Sequence, residues 1–360
     1  NFEYNHYETH AWAGWATAPF DECDILCIDA IGENETAAVF QVIDRVFYKV
    51  WEMQYPQSLG LIYSAVTQAL GYKPMEEEYI VMGLAAYGEP IIDLEYLMNR
   101  NCHKGIERPS GRTEDIAASV QALYEKHLLA LIDKYCKHKN LILMGGCALN
   151  CVANSKITNK NIWIMPNPGD AGSALGAAAR HFGKKLVWTD PYLGTDIDRP
   201  VNANEVARYL VRHSIAGVAN GRAEFGPRAL GNRSLLANPC LDIKDTVNEI
   251  KKRDKFRPFA PAILEEYAHK YFEGPMNEYM QFTAKAKHDY KSVTHVDGTA
   301  RVQVVRKDCK SVLRQILEEW YNHTGVPMLL NTSLNIKGQP MVDTWDHAQE
   351  FERKYNVKVF

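Results

Sequence analysis

Two histidines open the chain four residues apart, His6 and His10 in HYETHAWAGW. On a helix, positions i and i+4 share a face, so both imidazoles reach one ion. Two imidazoles rarely complete a metal site, and further ligands have to come from elsewhere. Two carboxylates stand in suitable places. Asp29 closes the apolar run DILCIDA, and Asp170 sits in NPGDAG at the start of a small-residue helix. Two histidines with carboxylates suit iron, manganese or zinc, and open coordination positions would make the ion reactive. The plain alternative is a pair of ordinary helix-face histidines, and the bare spacing does not separate the two.

A second set of residues points to anion chemistry. GRAEFGPRALGNR embeds Arg222, Arg228 and Arg233 among Gly, Pro and Phe. FRPFAP sets Arg257 between aromatics and prolines, and DGTARVQVV puts Arg301 at the edge of a strand. Arginines in turn or apolar surroundings suit bidentate binding of phosphate or carboxylate. NTSLN, residues 331–335, adds hydroxyls and amides on a turn after the apolar run PMLL. Together they suggest a pocket for a small phosphate compound. The alternative for any one arginine is a structural ion pair.

The elements that position these groups read as alternating strands and helices. Residues 24–30 predict a buried strand, and AAVFQVI a second one paired with it as a hairpin. Helical periodicity runs over 56–70 and 115–137. Residues 141–144 predict a short strand ending in Gly145-Gly146. GGCALN then leads toward a helix whose amides could meet phosphate or ribose. In NPGDAGSALGAAA, glycines and small side chains leave room for a nucleotide, or for a close helix–sheet contact. The texture changes to turn-rich WTDPYLGTDIDRP over 187–200, which predicts two domains, 1–190 and 191–360.

The 360 residues suffice for two cores. A net charge of −3 gives no bulk attraction to nucleic acid or anionic membrane. Eight cysteines form no CxxC pair, and Cys147 with Cys151 reads as a turn rather than a zinc knuckle. That predicts a reduced, cytoplasmic chain. No run approaches the ~18 apolar residues of a membrane helix.

Taken in order, HYETHAWAGW, IDAIGENET, GGCALNCVANSKI, NPGDAGSALGAAA, GRAEFGPRALGNRSLL, FRPFAP, THVDGTARVQVV and LLNTSLNIKGQP resemble the O-carbamoyltransferases of the nodulation-protein and antibiotic-tailoring type. The resemblance runs from His6 to about Val342. It implies an α/β chain with an actin-like ATPase (ASKHA) domain, similar to the tRNA threonylcarbamoyladenosine synthase, followed by a smaller YrdC-like α/β domain. It implies that the second domain converts carbamoyl phosphate and ATP to carbamoyl adenylate with release of pyrophosphate. The first domain then passes the carbamoyl group to an acceptor hydroxyl beside a ferrous ion. Carried onto this sequence, His6, His10, Asp29 and Asp170 hold Fe²⁺ or another divalent metal, and Mg²⁺ accompanies ATP. Carbamoyl phosphate meets Arg228, Lys251, Arg257, Arg301 and Ser333. The adenylate lies near Gly145, Gly146, Asn150 and Gly172. Candidates for the acceptor's base are His6, His10 or a nearby carboxylate, with ligand histidines the poorer bases.

In the family a strand and a Gly-His-Asp-like loop precede the HxxxH. Here Asn1 stands first, so the expectation is a numbering that starts inside a longer chain, or a compact member. Acceptors in keeping with the resemblance are antibiotic sugars, macrocycles, lipo-oligosaccharides and hydroxymethylated pyrimidines, as nucleotide or in nucleic acid. Trp12, Trp15 and Tyr87 could line such a pocket, or be core. The expected partners are thus small-molecule or nucleotide acceptors, with no membrane, in a monomer or homodimer. Two alternatives are a tRNA threonylcarbamoyl-type enzyme and a non-catalytic actin-like nucleotide-binding protein.

Overall fold

A computed structural model describes residues 2–360. Its contacts divide the chain into two compact units, Asn1–Thr189 and Asp190–Phe360. Both are mixed α/β.

The first unit opens with α1 (His6–Thr17), followed by the meander β1 (Cys23–Ile28), β2 (Glu35–Ile43) and β3 (Val46–Gln54). Then come α2 (Leu59–Ala69), α3 (Glu78–Leu84) and the long α4 (Thr113–Tyr135). The unit closes with β4 (Asn140–Met144), α5 (Cys151–Asn154), β5 (Asn161–Ile164) and α6 (Asp170–Phe182). The strands form one sheet in the order β3-β2-β1-β4-β5. β1 pairs antiparallel with β2 but parallel with β4, which pairs parallel with β5. All six residues of β1 are buried, as a strand covered on both faces requires. The hairpin, α2, α4, β4 and α6 stand where the hydrophobic pattern predicts them.

α1 is buried almost all round, ten of its twelve residues being inaccessible. Such a helix lies within the core rather than on it. Gly14 lets it approach the sheet: a Cβ there would come within 2.6 Å of Ile142 and 2.7 Å of Met144. Trp12 and Trp15 are core residues, not pocket lining. Trp12 stacks on Phe47 at 4.4 Å, and Trp15 donates to the Asp21 carbonyl at 3.0 Å.

The second unit runs β6 (Tyr192–Ile197), α7 (Ala203–His213), β7 (Ile215–Ala219), β8 (Gly221–Glu224), β9 (Arg233–Ala237), α8 (Lys244–Ile250) and β10 (Ala260–Leu264). It continues with α9 (Ala268–Tyr271), β11 (Phe272–Glu273), β12 (Ala284–Ala286), β13 (Thr299–Ala300) and β14 (Gln303–Val305). It ends with α10 (Leu313–Thr324), β15 (Met328–Ser333) and α11 (Trp345–Tyr355). The main sheet has the order β14-β10-β15-β9-β7. Leu236 packs with α7 and α10, while its neighbours Leu235 and Ala237 pack with α8 and α11 on the other face. Both faces are therefore covered, which explains unbroken apolar runs such as RSLLA and PMLL.

The turn expected at 331–335 is corrected by the structure. Asn331, Thr332 and Ser333 continue β15, paired with Leu236, Leu235 and Ser234, and the chain bends only after Ser333. Asn331 is buried, because its amide finds polar partners inside. Among the described residues no helix is long and apolar enough to cross a membrane.

Candidate active site

One cluster of chemistry-bearing residues forms in the first unit, where β1, β4 and β5 end side by side. The carboxyl ends of parallel strands are where open α/β sheets place ligands. Asn5 caps α1, its side chain accepting from the amides of Tyr7 and Glu8. Asp29 follows β1; its Oδ1 accepts from the Ala30 amide at 2.8 Å and its Oδ2 from the Gly146 amide at 3.2 Å. Gly145 has φ +86°, and a Cβ on it would lie 2.1 Å from the Ile28 carbonyl. Only glycine allows the exits of β1 and β4 to come this close. Asp170 begins α6, where the helix dipole favours a negative charge. Gly176 brings α6 against α1, since a Cβ there would sit 1.7 Å from the Thr9 carbonyl oxygen.

This packing makes four side chains converge. The Nε2 atoms of His6 and His10 are 3.1 Å apart. Asp170 Oδ1 lies 3.1 Å from His10 Nε2 and 3.5 Å from His6 Nε2. Asp29 Oδ2 lies 3.4 Å and 3.9 Å from the same two atoms. All four donor atoms fall within 4.8 Å of one another, the one such grouping among the described residues. Ligands held at about 2.0–2.2 Å from a shared ion stand roughly 3.0–3.5 Å apart, so two nitrogens and two oxygens in this array fit a divalent metal.

The electrostatics fit as well. His10 is fully buried. Burial alone would lower its pKa, but hydrogen bonds to Asp170 and Asp29 outweigh that and raise it to about 9. Burial would raise the Asp29 carboxyl, yet the imidazoles of His10 and His6 beside it hold it well below the usual carboxylate range. Without an ion, a proton on His10 balances one of the two carboxylate charges. A cation would take over that role.

Sequence reasoning missed Tyr7 and Gly32. Tyr7 is buried with its hydroxyl unpartnered, its pKa pushed up by burial and then by the charge of Asp29. Gly32 leaves space for two rings: a Cβ would come 2.7 Å from Tyr7 and 2.9 Å from His6. An aromatic beside HxxxH and a glycine in IGENET were visible, but nothing in the string says that they meet.

The residues expected around an adenylate divide. Gly146 adjoins Asp29. Asn150 caps α5 and exchanges two hydrogen bonds with Gln121, at 3.1 and 2.9 Å. Gly172 serves close packing, with the Asn167 carbonyl 1.9 Å from where its Cβ would be. Tyr87 ends a 3₁₀ turn, half-buried.

In the second unit, strand directions gather the remaining candidates. β10, β14 and β9 start at the end of the sheet where β15 finishes. Arg257, Arg301, the loop carrying Arg228, and Ser333 therefore share one end. Arg301 and Arg257 are half-buried, and Arg301 Nε is buried without a hydrogen-bond partner. Lys251 is buried, and its Nζ meets the carbonyls and side-chain oxygens of both Ser333 and Asn335. Burial pulls its pKa well down, and the charges of Arg253 and Arg257 add to that. Arg233 differs from the arginines around it. It is fully buried and donates to the carbonyls of Asn220, Gly221, Asn232, Thr195 and Asp343, which makes it an internal brace. Arg222, exposed, donates to the carbonyls of Leu193 and Gly194.

Both units match known sequences. Residues 2–105 and 97–179 match the family model "Carbamoyltransferase N-terminus", and residues 207–360 match "Carbamoyltransferase C-terminus". The chain belongs to the carbamoyltransferase family. It is 33% identical to the uncharacterized protein sll1178 of Synechocystis, covering 95% of this chain and 72% of that protein. It is 33% identical to nodulation protein NolNO of Sinorhizobium fredii, over 94% of this chain and 60% of that one. Nodulation protein NolO of Bradyrhizobium diazoefficiens is 32% identical, over 96% and 75%. This carbamoyltransferase thus spans part of the length of each of these relatives. Matches over both units select a carbamoyltransferase over the tRNA-modifying and non-catalytic alternatives.

Proposed function

We propose that this carbamoyltransferase works in two ATP-dependent stages, with carbamoyl adenylate between them. The first stage belongs to the second unit. Carbamoyl phosphate loses inorganic phosphate to water, and the resulting carbamate oxygen attacks the α-phosphorus of ATP. Pyrophosphate leaves, and carbamoyl adenylate remains. Arg228, Arg257 and Arg301 neutralise the phosphate oxygens as charge shifts onto the leaving groups. Ser333 supplies a hydroxyl, and Lys251 holds Ser333 in place. The unpartnered Nε of Arg301 supports this assignment, because a buried guanidinium nitrogen wants an acceptor. The gathering of these groups at one sheet end supports a YrdC-like reading of this unit.

The second stage belongs to the first unit, and its supporting observation carries the proposal: four ligand atoms, two imidazole and two carboxylate, lie within 4.8 Å. His6, His10, Asp29 and Asp170 would hold Fe²⁺ or another divalent ion. Such an ion supplies Lewis-acid polarisation of an oxygen and lowers the barrier to hydroxyl attack. The chain's own part is to orient. Gly146 fixes the Asp29 carboxylate, α6 carries Asp170 to His10, and Gly145 lets the ends of β1 and β4 meet, beside which the adenylate would lie. The acceptor hydroxyl attacks the carbamoyl carbon, the carbon–oxygen bond to AMP breaks, and the hydroxyl proton leaves with the departing phosphate or to solvent. The strand order β3-β2-β1-β4-β5, with β2 antiparallel to its neighbours, supports an actin-like (ASKHA) reading. The acceptor is a hydroxyl of a sugar, a small molecule or a hydroxymethylated nucleobase.

The test mixes purified protein with ATP, carbamoyl phosphate and Mg²⁺, without acceptor, and follows pyrophosphate. Steady release, with inorganic phosphate in equal amount, is expected. Arg301→Ala should lower it at least about a hundredfold while the thermal midpoint stays close to wild type. No release from folded, metal-loaded protein overturns the adenylate route.

A further inference from the structure

The loop that carries Arg228 rests on a buried polar layer. Residues 225–231 leave β8 and return to β9, and their backbone is held from several strands. Glu224 Oε1 accepts from the amides of Leu230, Asn232 and Arg233 at 2.7, 2.8 and 3.2 Å. Asn331 Nδ2, from β15, donates to the Ala229 carbonyl at 3.1 Å and to Gln303 Oε1 at 2.7 Å. Gln303 Nε2, from β14, donates to the Leu230 carbonyl at 2.9 Å, and the Tyr192 hydroxyl, from β6, donates to the same oxygen at 3.1 Å.

These groups are far from solvent. Glu224, Gln303 and Asn331 are 7%, 2% and 1% exposed. Burying a carboxyl and two amides is costly unless each is matched, and apolar residues would fill the same volume at less risk. Apart from the bond that joins Asn331 to Gln303, their hydrogen bonds go to the backbone of this loop and of the two residues that follow it, Asn232 and Arg233. Gln303 and Asn331 also lie two residues from Arg301 and Ser333 along their strands, one pleat inside the sheet end that gathers the anion-binding candidates. Gly231 belongs to the same device. Its φ is +127°, and a Cβ on it would lie 2.4 Å from Ser311 Oγ.

We propose that Glu224, Gln303 and Asn331 are positioning residues, a buried cradle that fixes the backbone of the Arg228 loop relative to Arg301 and Ser333. They touch no substrate. They act by setting where the Arg228 guanidinium stands before carbamoyl phosphate arrives, so the binding step does not have to order the loop. The proposal rests on the reading of this sheet end as the carbamoyl phosphate site.

The experiment follows pyrophosphate release against carbamoyl phosphate concentration for Gln303→Met and Asn331→Leu, which keep volume but remove the donors. The KM for carbamoyl phosphate should rise about tenfold, the worth of one lost buried hydrogen bond, with kcat and the KM for ATP within about threefold of wild type. Glu224→Gln retains the acceptor oxygen and should stay within about threefold of wild type. Glu224→Ala should behave like the other two, and its amides at Leu230, Asn232 and Arg233 should exchange with solvent faster. Folded variants with unchanged KM overturn the proposal. So does a KM rise shared equally by ATP and carbamoyl phosphate, which marks general loosening. If the wild-type protein releases no pyrophosphate, the reaction fails rather than the cradle, and inorganic phosphate binding by calorimetry reads the same variants. Equal phosphate affinity in wild type and variants, or none in either, then overturns the cradle. A variant that does not fold is replaced by Gln303→Leu or Asn331→Ser, read in the same way.

Discussion

His10 is the residue on which the metal reading can be tested most directly. Its pKa rises to about 9 in the metal-free protein, above its usual value of about 6.5. The sign follows from linkage. A raised histidine pKa stabilises the fold fully below pH 6.5 and loses that contribution as pH climbs through 9. Chelator-treated protein should therefore lose thermal stability across that window, and His10→Ala should flatten the slope. Metal ligands must be unprotonated, so a divalent ion should raise the thermal midpoint more at pH 8.5 than at pH 6.5. A midpoint that ignores added Fe²⁺, Mn²⁺ and Zn²⁺ at both values would leave the cluster as a proton-bridged histidine–carboxylate pair. At the same scale, two arginines of similar sequence context should part company. Arg233→Ala leaves five backbone carbonyls without their donor and a cavity where a fully buried side chain stood, and should cost on the order of 3 kcal/mol or more in denaturant unfolding. Arg301→Ala should spare the fold and remove activity.

At the scale of elements, the histidine–carboxylate cluster depends on how two helices approach. α1 carries both histidines and α6 carries Asp170. Their closeness is permitted by Gly176, where a side chain would overlap the Thr9 carbonyl. Neither helix could swing aside cheaply, since α1 is buried against the sheet on its other side. Gly176→Ala is thus expected to destabilise the first unit by about 2 kcal/mol or more and to weaken metal retention together with it. Calorimetric unfolding with metal analysis of the same sample checks both. A variant that keeps stability and loses metal would show that α6 shifts as a rigid rod. One that keeps both would mean that the backbone approach is not what sets the site.

At the scale of the molecule, the proposed route gives the two units different chemistry, each around its own core. That division makes a prediction. His10→Ala should stop carbamoyl transfer to any acceptor while acceptor-free pyrophosphate release continues within about threefold of wild type. Arg301→Ala should stop both, because no adenylate is formed to transfer. Comparing the two variants by pyrophosphate release and by carbamoylated product decides the matter, and coupled loss in His10→Ala would contradict a two-stage division of labour.

Much of this was legible in the string of residues. Strands and helices announced themselves where one apolar period ran uninterrupted, as in DILCI, AAVFQVI and the long helix over 113–135. Histidines four apart on a helix share a face by local geometry alone, so half of the candidate ligand cluster was written in five residues. Asp29 and Asp170 could be nominated because both close or open an element, and the resemblance supplied the choice. What required the folded chain was every contact distant in sequence. Arg233 and Arg301 look alike in a line of letters, yet one is a fully buried brace and the other ends half-buried with a bare nitrogen. NTSLN reads as a turn by composition, but pairing with β9 and buried partners for Asn331 extend the strand, because tertiary hydrogen bonds outweigh local preference. Glu224, Gln303 and Asn331 carry no local signal. Their meaning lies in which backbone groups stand within hydrogen-bond reach of them, and that distance is set by four strands meeting. Local periodicity thus determined which elements form and which residues could do chemistry. Only the tertiary structure decided which of those residues meet, because long-range packing fixes distances that no neighbour in sequence can encode.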